Sequence, residues 1–243
     1  MDTVGVRVPV DFIWFDLGYT LLYKERERLF GEVLGWFHID RSFDDLERAF
    51  HLTDKRFMRD YPGFLGRPPE EFMPLYIGFL CRQLNVRGDL VAVLNRWMDA
   101  WQTTGIDWLP YPYVTEVLGC LAAKGLRLGV ISNWDPSAKA ILARCGLMDF
   151  FEVVIISSEV GVCKPEERIF RIALEQARVD PTRCLSVGDN FYDDTVGART
   201  VGMKSLIINR FGSLGVEELA GQENGAPELI ADISGILPRL GDA

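Results

Sequence analysis

The sequence predicts an α/β protein: a doubly wound parallel sheet with an all-helical domain inserted after its first strand. Three observations carry this expectation. Short apolar runs of strand-forming residues recur along the chain and end in polar or Gly-containing turns. Most are separated by segments with apolar residues at helical spacing, an alternation that gives parallel strands joined by right-handed crossovers. One long stretch, between the first and second runs, carries helical periodicity alone.

The first run is Phe12 to Leu17, which delivers Asp16 to a turn at Gly18. Helical spacing follows at Leu29, Phe30, Val33, Leu34 and Phe37. Ser42 is an N-cap for a second helix, with Asp44, Asp45 and Glu47 in its first turns. Pro68-Pro69-Glu70-Glu71 starts a third, striped by Phe72, Leu75, Tyr76, Phe79 and Leu80. A fourth follows Gly88, through Leu90, Val93, Leu94, Trp97, Met98 and Trp101. The aromatics Trp36, Phe37, Trp97, Trp101 and Trp108 are expected to form the core of this helical block. His38 and His51 are expected at its surface or internally satisfied.

From Leu109-Pro110 onward helix and strand alternate. A helix through Val114, Val117, Leu118 and Leu121 closes at Lys124-Gly125, and the strand Leu126 to Ile131 ends in Ser132-Asn133. Asp135-Pro136 opens a helix that ends at Gly146; Val153 to Ile156 is the next strand, followed by Lys164-Pro165 and a helix through Phe170 and Leu174. Cys184 to Val187 is a strand ending in Gly188-Asp189, then comes a helix to near Gly202 and a strand from Ser205 to Ile208. Gly221 to Pro227 reads as a loop, Leu229 to Ala231 as a short strand, and Ile233 to Leu240 as a closing helix. The expected core is residues 1–21 with 110–243, and the helical domain residues 22–109, with hinges near Leu22 and Leu109-Pro110.

A chain of 243 residues with 48% hydrophobic and 25% charged residues has ample material for a buried core. The net charge of −9 argues against nucleic acid or an anionic membrane as the partner. The five cysteines are widely spaced with no Cys-x-x-Cys pair, so they are expected as small core residues of a reducing compartment, Cys163 included. The start of the sequence lacks a signal-type segment and no apolar run reaches ~18 residues, which leads to the expectation of a soluble cytoplasmic protein, monomeric or homodimeric.

Candidate chemistry lies at the strand ends. Asp16, Ser132 and Asp189 each close a strand, Lys164 follows another, and Asp193 and Asp194 begin the helix after Asp189. Strands of a doubly wound sheet aim their carboxyl ends at one crevice, so these residues can converge. Several carboxylates meeting there would repel one another, and a hard divalent cation with oxygen ligands, Mg²⁺ foremost, relieves that. With Lys164 and the backbone of Leu17 and Gly18, such a site would seat a phosphate, and Trp134 is the aromatic best placed to enter the cleft.

Four ordered stretches, Phe-Asp16-Leu-Gly-Tyr-Thr20, Ile-Ser132-Asn133, Lys164-Pro165 and Val-Gly-Asp189-Asn-Phe-Tyr-Asp-Asp194, resemble the motifs of the haloacid dehalogenase (HAD) superfamily of hydrolases. The resemblance covers nearly the whole chain and implies a Rossmann-like core with a helical cap of the C1 type. It implies a phosphatase that hydrolyses a small phosphomonoester through an aspartyl-phosphate on Asp16. Mg²⁺ would be held by Asp16, the Gly18 carbonyl and Asp189. Ser132 and Lys164 would meet the phosphoryl oxygens, with Leu17, Gly18, Asn133 and Trp134 also against the substrate. Asp194 would support the metal or orient Lys164, with Asp193 as second candidate.

One departure stands out. Phosphatases of this family usually carry an acid–base Asp two residues after the nucleophile, where this chain has Gly18, followed by Tyr19 where Gly is usual. A positioned acid is worth about 10²–10⁴-fold in rate. Tyr19, Asp135 or a residue of the helical domain are the available substitutes. The departure opens two alternatives: a metal-independent 2-haloacid dehalogenase, against which Asp189 stands, and a binding protein on the same fold that no longer turns over.

Overall fold

The computed structural model describes residues 10–215 and 227–240, so the loop expected over Gly221 to Pro227 lies, up to residue 226, outside the described residues. Among these, residues 10–23, 109–212 and 227–240 form one compact unit, and residues 24–108 with 213–215 form another.

In chain order the strands are β1 (Phe12–Phe15), β2 (Leu22–Tyr23), β3 (Leu109–Pro110), β4 (Arg127–Ser132), β5 (Val153–Ile156), β6 (Cys184–Gly188), β7 (Lys204–Ile208) and β8 (Leu229–Ile230). Six of them form a parallel sheet in the order β5-β4-β1-β6-β7-β8, while β2 and β3 pair antiparallel as a separate ribbon. That ribbon occupies the residues read from sequence as hinges; two-residue strands carry no periodicity to reveal them. The sheet order runs outward from β1 to β5 on one side and from β6 to β8 on the other. The change of side opens a crevice beyond the carboxyl ends of β1 and its neighbours.

Every residue of β1 is buried, as a strand covered on both faces requires. Phe12 and Trp14 stack at 4.3 Å on one face and pack into a cluster with Ile169 and Phe170. Gly129 on the adjacent β4 makes room for them: a Cβ there would stand 2.5 Å from the Trp14 ring.

The helices are α1 (Arg26–Gly35), α2 (Phe43–Asp60), α3 (Pro69–Gln83), α4 (Leu90–Thr104), α5 (Val114–Ala123), α6 (Ala138–Arg144), α7 (Ser157–Val160), α8 (Glu167–Ala177) and α9 (Gly197–Thr200). Ser42 caps α2 as expected, its Oγ accepting from the Asp45 N–H at 3.1 Å. The helix expected after Asp189 is instead a π turn over Phe191–Val196 that passes into α9. The expected closing helix is a 3₁₀ segment, Ile233–Arg239, with Pro238 inside it unable to donate to an α ladder.

Helices α1 to α4 pack around Phe30, Phe50 and Trp97, whose rings meet edge-on or tilted. Trp36 is not part of that core. It is the residue that follows the last turn of α1, is 68% exposed, and carries the Arg96 guanidinium 4.2 Å above its ring. His38 is exposed, whereas His51 meets the Leu214 carbonyl at 3.0 Å. The cysteines also depart from expectation: Cys81 and Cys184 are buried, but Cys120 and Cys163 are exposed. Among the described residues no helix is long and apolar enough to cross a membrane.

Candidate active site

The first unit brings Asp16, Ser132, Lys164 and Asp194 together. Asp16 leaves the end of β1, where its N–H donates to the Val187 carbonyl of β6 at 2.9 Å. Its Oδ1 accepts from Ser132 Oγ at 3.0 Å and from Lys164 Nζ at 2.6 Å. Among the described residues no hydrogen bond reaches its other oxygen, Oδ2. The turn beyond it is closed from within: the Leu17 carbonyl accepts from the N–H groups of Leu21 and Leu22, both at 2.9 Å. The N–H groups of Leu17 and Gly18 have no acceptor among the described residues. Tyr19 turns the chain with a φ of 53°, in the left-handed region, and its N–H donates to the Leu22 carbonyl. That conformation explains why a glycine suits the position and why Tyr19 is unusual there.

Lys164 is buried and spans two carboxylates, with Nζ 2.6 Å from both Asp16 Oδ1 and Asp194 Oδ1. Burial alone would lower its pKa, but Asp16 and Asp194 outweigh that and hold it charged above its usual range. Asp194 sits in the π turn, and its Oδ2 accepts from the Asn190 N–H at 3.0 Å. Gly188 leaves the space for that carboxylate, since a Cβ on it would stand 1.9 Å from Asp194 Oδ2. Asp193 turns to the Asn190 side chain, which donates to it at 2.9 Å. Burial pushes Asp193 up to about 7, Lys164 pulling against this while Asp194 and Asp16 add to it. The two neighbouring aspartates are thus divided, Asp194 to Lys164 and Asp193 to Asn190.

Asp189 follows β6 directly and is half-buried. Asn133 and Trp134 follow Ser132. The Asn133 side chain is bonded to the backbone of Lys164, and the Trp134 indole N–H donates to Ser137 Oγ at 3.3 Å. Asp135 is exposed. Among the described residues no three His, Cys, Asp or Glu side chains form a ready-made metal cage. The donor set nonetheless suits Mg²⁺. It offers only oxygens, and Mg²⁺ is bound through one or two carboxylates completed by water and substrate phosphate. The spare Oδ2 of Asp16 and the half-buried carboxylate of Asp189 meet that description.

A family model described as haloacid dehalogenase-like hydrolase matches residues 39–202, more than half of the chain. The chain belongs to the haloacid dehalogenase-like hydrolase family. The matched span holds Ser132, Lys164, Asp189 and Asp194, and Asp16 precedes it. Among relatives, the chain is 37% identical over 107 residues to haloacid dehalogenase-like hydrolase domain-containing protein 3 of Xenopus laevis, covering 44% of each chain. It is 41% identical over 106 residues to a glyceraldehyde 3-phosphate phosphatase of Methanothermobacter thermautotrophicus, covering 41% of this chain and 45% of the relative. It thus spans about half the length of the curated relatives it matches. A HAD phosphatase of Thermococcus onnurineus shares the fold at a TM-score of 0.56 and 23% identity, over 96% of this chain and 98% of that one.

Within this HAD-family site three residues escaped the sequence reading. Asn190 caps the π turn, accepting from the N–H groups of Tyr192 and Asp193, a role that its place before a helix start could have signalled. Ser157 bonds the backbone of Trp134 from the start of α7. Gly188 is needed only because Asp194 folds back over it, and nothing in the sequence announces that contact.

Proposed function

We propose that this protein is a Mg²⁺-dependent phosphatase that hydrolyses a small phosphomonoester through Asp16. The observation that carries the reading is the state of the Asp16 carboxylate. One oxygen is fixed by Ser132 and Lys164, the other is not hydrogen-bonded among the described residues, and two unengaged backbone N–H groups follow it. The phosphatase name of a relative adds support.

In this reading Asp16 attacks phosphorus, the bond to the leaving oxygen breaks, and a phosphoryl group is carried on the carboxylate. Water then attacks phosphorus and frees Asp16. Ser132 donates to a phosphoryl oxygen, Lys164 offsets the charge gathering there, and the N–H groups of Leu17 and Gly18 orient the group. Asp194 keeps Lys164 charged and in place. Asp16, the Gly18 carbonyl and Asp189 would hold Mg²⁺, which supplies positive charge against the transferring phosphoryl when bound. The helical unit is proposed as the family's cap domain and the sheet unit as its Rossmann-like core. The described free cysteines fit a reducing, cytoplasmic setting.

The test is phosphate release from p-nitrophenyl phosphate and acetyl phosphate, with Mg²⁺ and with EDTA, beside chloride release from 2-chloropropionate. Metal-dependent phosphate release is expected. Gly18 in place of an acid favours one second reading, a metal-independent dehalogenase, and EDTA-insensitive chloride release would select it.

A further inference from the structure

Two side chains tie the turn after β4 to the segment that carries Lys164. Asn133 pairs with the Lys164 backbone in both directions, its Oδ1 accepting from the N–H at 2.7 Å and its Nδ2 donating to the C=O at 2.9 Å. Ser157 does the same for Trp134, its Oγ accepting from the N–H at 3.0 Å and donating to the C=O at 3.3 Å. The Ser158 N–H adds a bond to the Trp134 carbonyl at 3.3 Å. Paired bonds to one residue resist both displacement and rotation, which a single bond does not.

We infer that Asn133 and Ser157 are positioning residues that make the Ser132–Trp134 turn and the Lys164 segment one rigid piece. Asn133 acts through Lys164 and not on the substrate. Three observations support this. An asparagine side chain offers two N–H donors and one acceptor oxygen. Here the oxygen takes the Lys164 N–H and one N–H goes to the Lys164 carbonyl, so both polar ends of the side chain are engaged by the Lys164 backbone. Lys164 and Ser157 are both buried, so the backbone groups they involve have little water to fall back on. Ser132 and Lys164 also converge on the same Asp16 oxygen, so a shift of one loop against the other would misplace one of the two donors. Misplacement by 1 Å can cost on the order of 10²-fold in rate.

The inference rests on the proposed phosphatase chemistry for its kinetic arm and on exchange alone for its structural arm. For Asn133→Ala the expected result is a fall of about 10²-fold in kcat on p-nitrophenyl phosphate with KM changed little. A raised KM with kcat kept would make Asn133 a substrate contact and overturn the inference. Hydrogen–deuterium exchange is read on the same protein without substrate. Faster exchange of the Lys164 amide in Asn133→Ala, and of the Trp134 amide in Ser157→Ala but not Ser157→Thr, is expected. Unchanged exchange at both amides would refute the clasp. Should Asn133→Ala lose cooperative melting, the Ser157 pair carries both arms. If the wild type turns over no phosphomonoester, the functional reading fails while the exchange result still decides the clasp.

Discussion

At Asp16 one carboxylate accepts hydrogen bonds from Ser132 and Lys164 and, in the proposed chemistry, is also the nucleophile. Asp16→Asn separates the two roles. The amide oxygen can still accept from Ser132 Oγ and Lys164 Nζ, and Lys164 keeps the Asp194 carboxylate as a charged partner. The exchange also removes a carboxylate from beside Asp194, which offsets part of the lost attraction to Lys164. Fold and melting temperature should therefore survive, while turnover falls by at least about 10³-fold because an amide oxygen is a poor nucleophile. Phosphate release and thermal melting on the same preparation decide it; retained activity would remove Asp16 from the nucleophile's role. Asp16, Ser132, Lys164 and Asp189 were legible as candidates because each ends or follows an apolar run. The division between Asp193 and Asp194 was not, since it depends on which way a turn winds.

That turn belongs to the scale of elements. Adjacent residues in an α-helix point about 100° apart, and the π turn over Phe191–Val196 changes where Asp193 and Asp194 fall. It brings Asp194 back against Gly188 at the end of β6. Gly188→Ala puts a methyl group 1.9 Å from Asp194 Oδ2 and 2.1 Å from its Cγ, so the carboxylate must leave Lys164 or the strand end must shift. Overpacking of this kind costs about 1–3 kcal/mol, or roughly 2–12 °C in melting temperature for a chain of this size. Turnover should fall with it. Gly119→Ala, inside α5 with no atom within 4 Å of the added group, is the control and should raise stability by up to about 1 kcal/mol. Equal melting of the two variants would mean that Asp194 has no need of the space at Gly188. Most strands and helices were legible within a few residues, because burial on both faces gives unbroken apolar runs and helices carry their stripe. The π turn and the β2–β3 ribbon left no such mark: each is too short for periodicity and is set by contacts made elsewhere.

At the scale of the whole molecule, pH and substrate preference are the readouts. His51 is kept neutral in the fold: burial, with Lys55 beside it, pushes its pKa down from 6.5 to about 4, against the Leu214 hydrogen bond and Asp54. The unfolded chain therefore takes up the proton first as the pH falls. Stability should rise with pH between about 4 and about 6.5, and this group adds no slope outside that window. His51→Gln keeps a donor for Leu214 and cannot charge, so its melting temperature should lose less than the wild type's between pH 6.5 and 4. Parallel curves would exclude His51 as the source. If the protein is the proposed phosphatase, its substrate preference should turn on Gly18, where phosphatases of the family usually have an acid. An alkoxide leaving from a sugar phosphate needs a proton as the P–O bond breaks, whereas acetate or p-nitrophenolate leaves without one. Wild-type rates should therefore climb steeply as the leaving group becomes more acidic. Gly18 is not among the glycines with left-handed backbone, so an aspartate there meets no φ strain. Gly18→Asp should raise turnover of alkyl phosphates by about 10²-fold or more and leave acetyl phosphate nearly unchanged, which flattens the dependence on leaving-group pKa. An equal gain on both substrates would mean that the new carboxylate acts through the metal or the fold, and that proton donation was never what the site lacked.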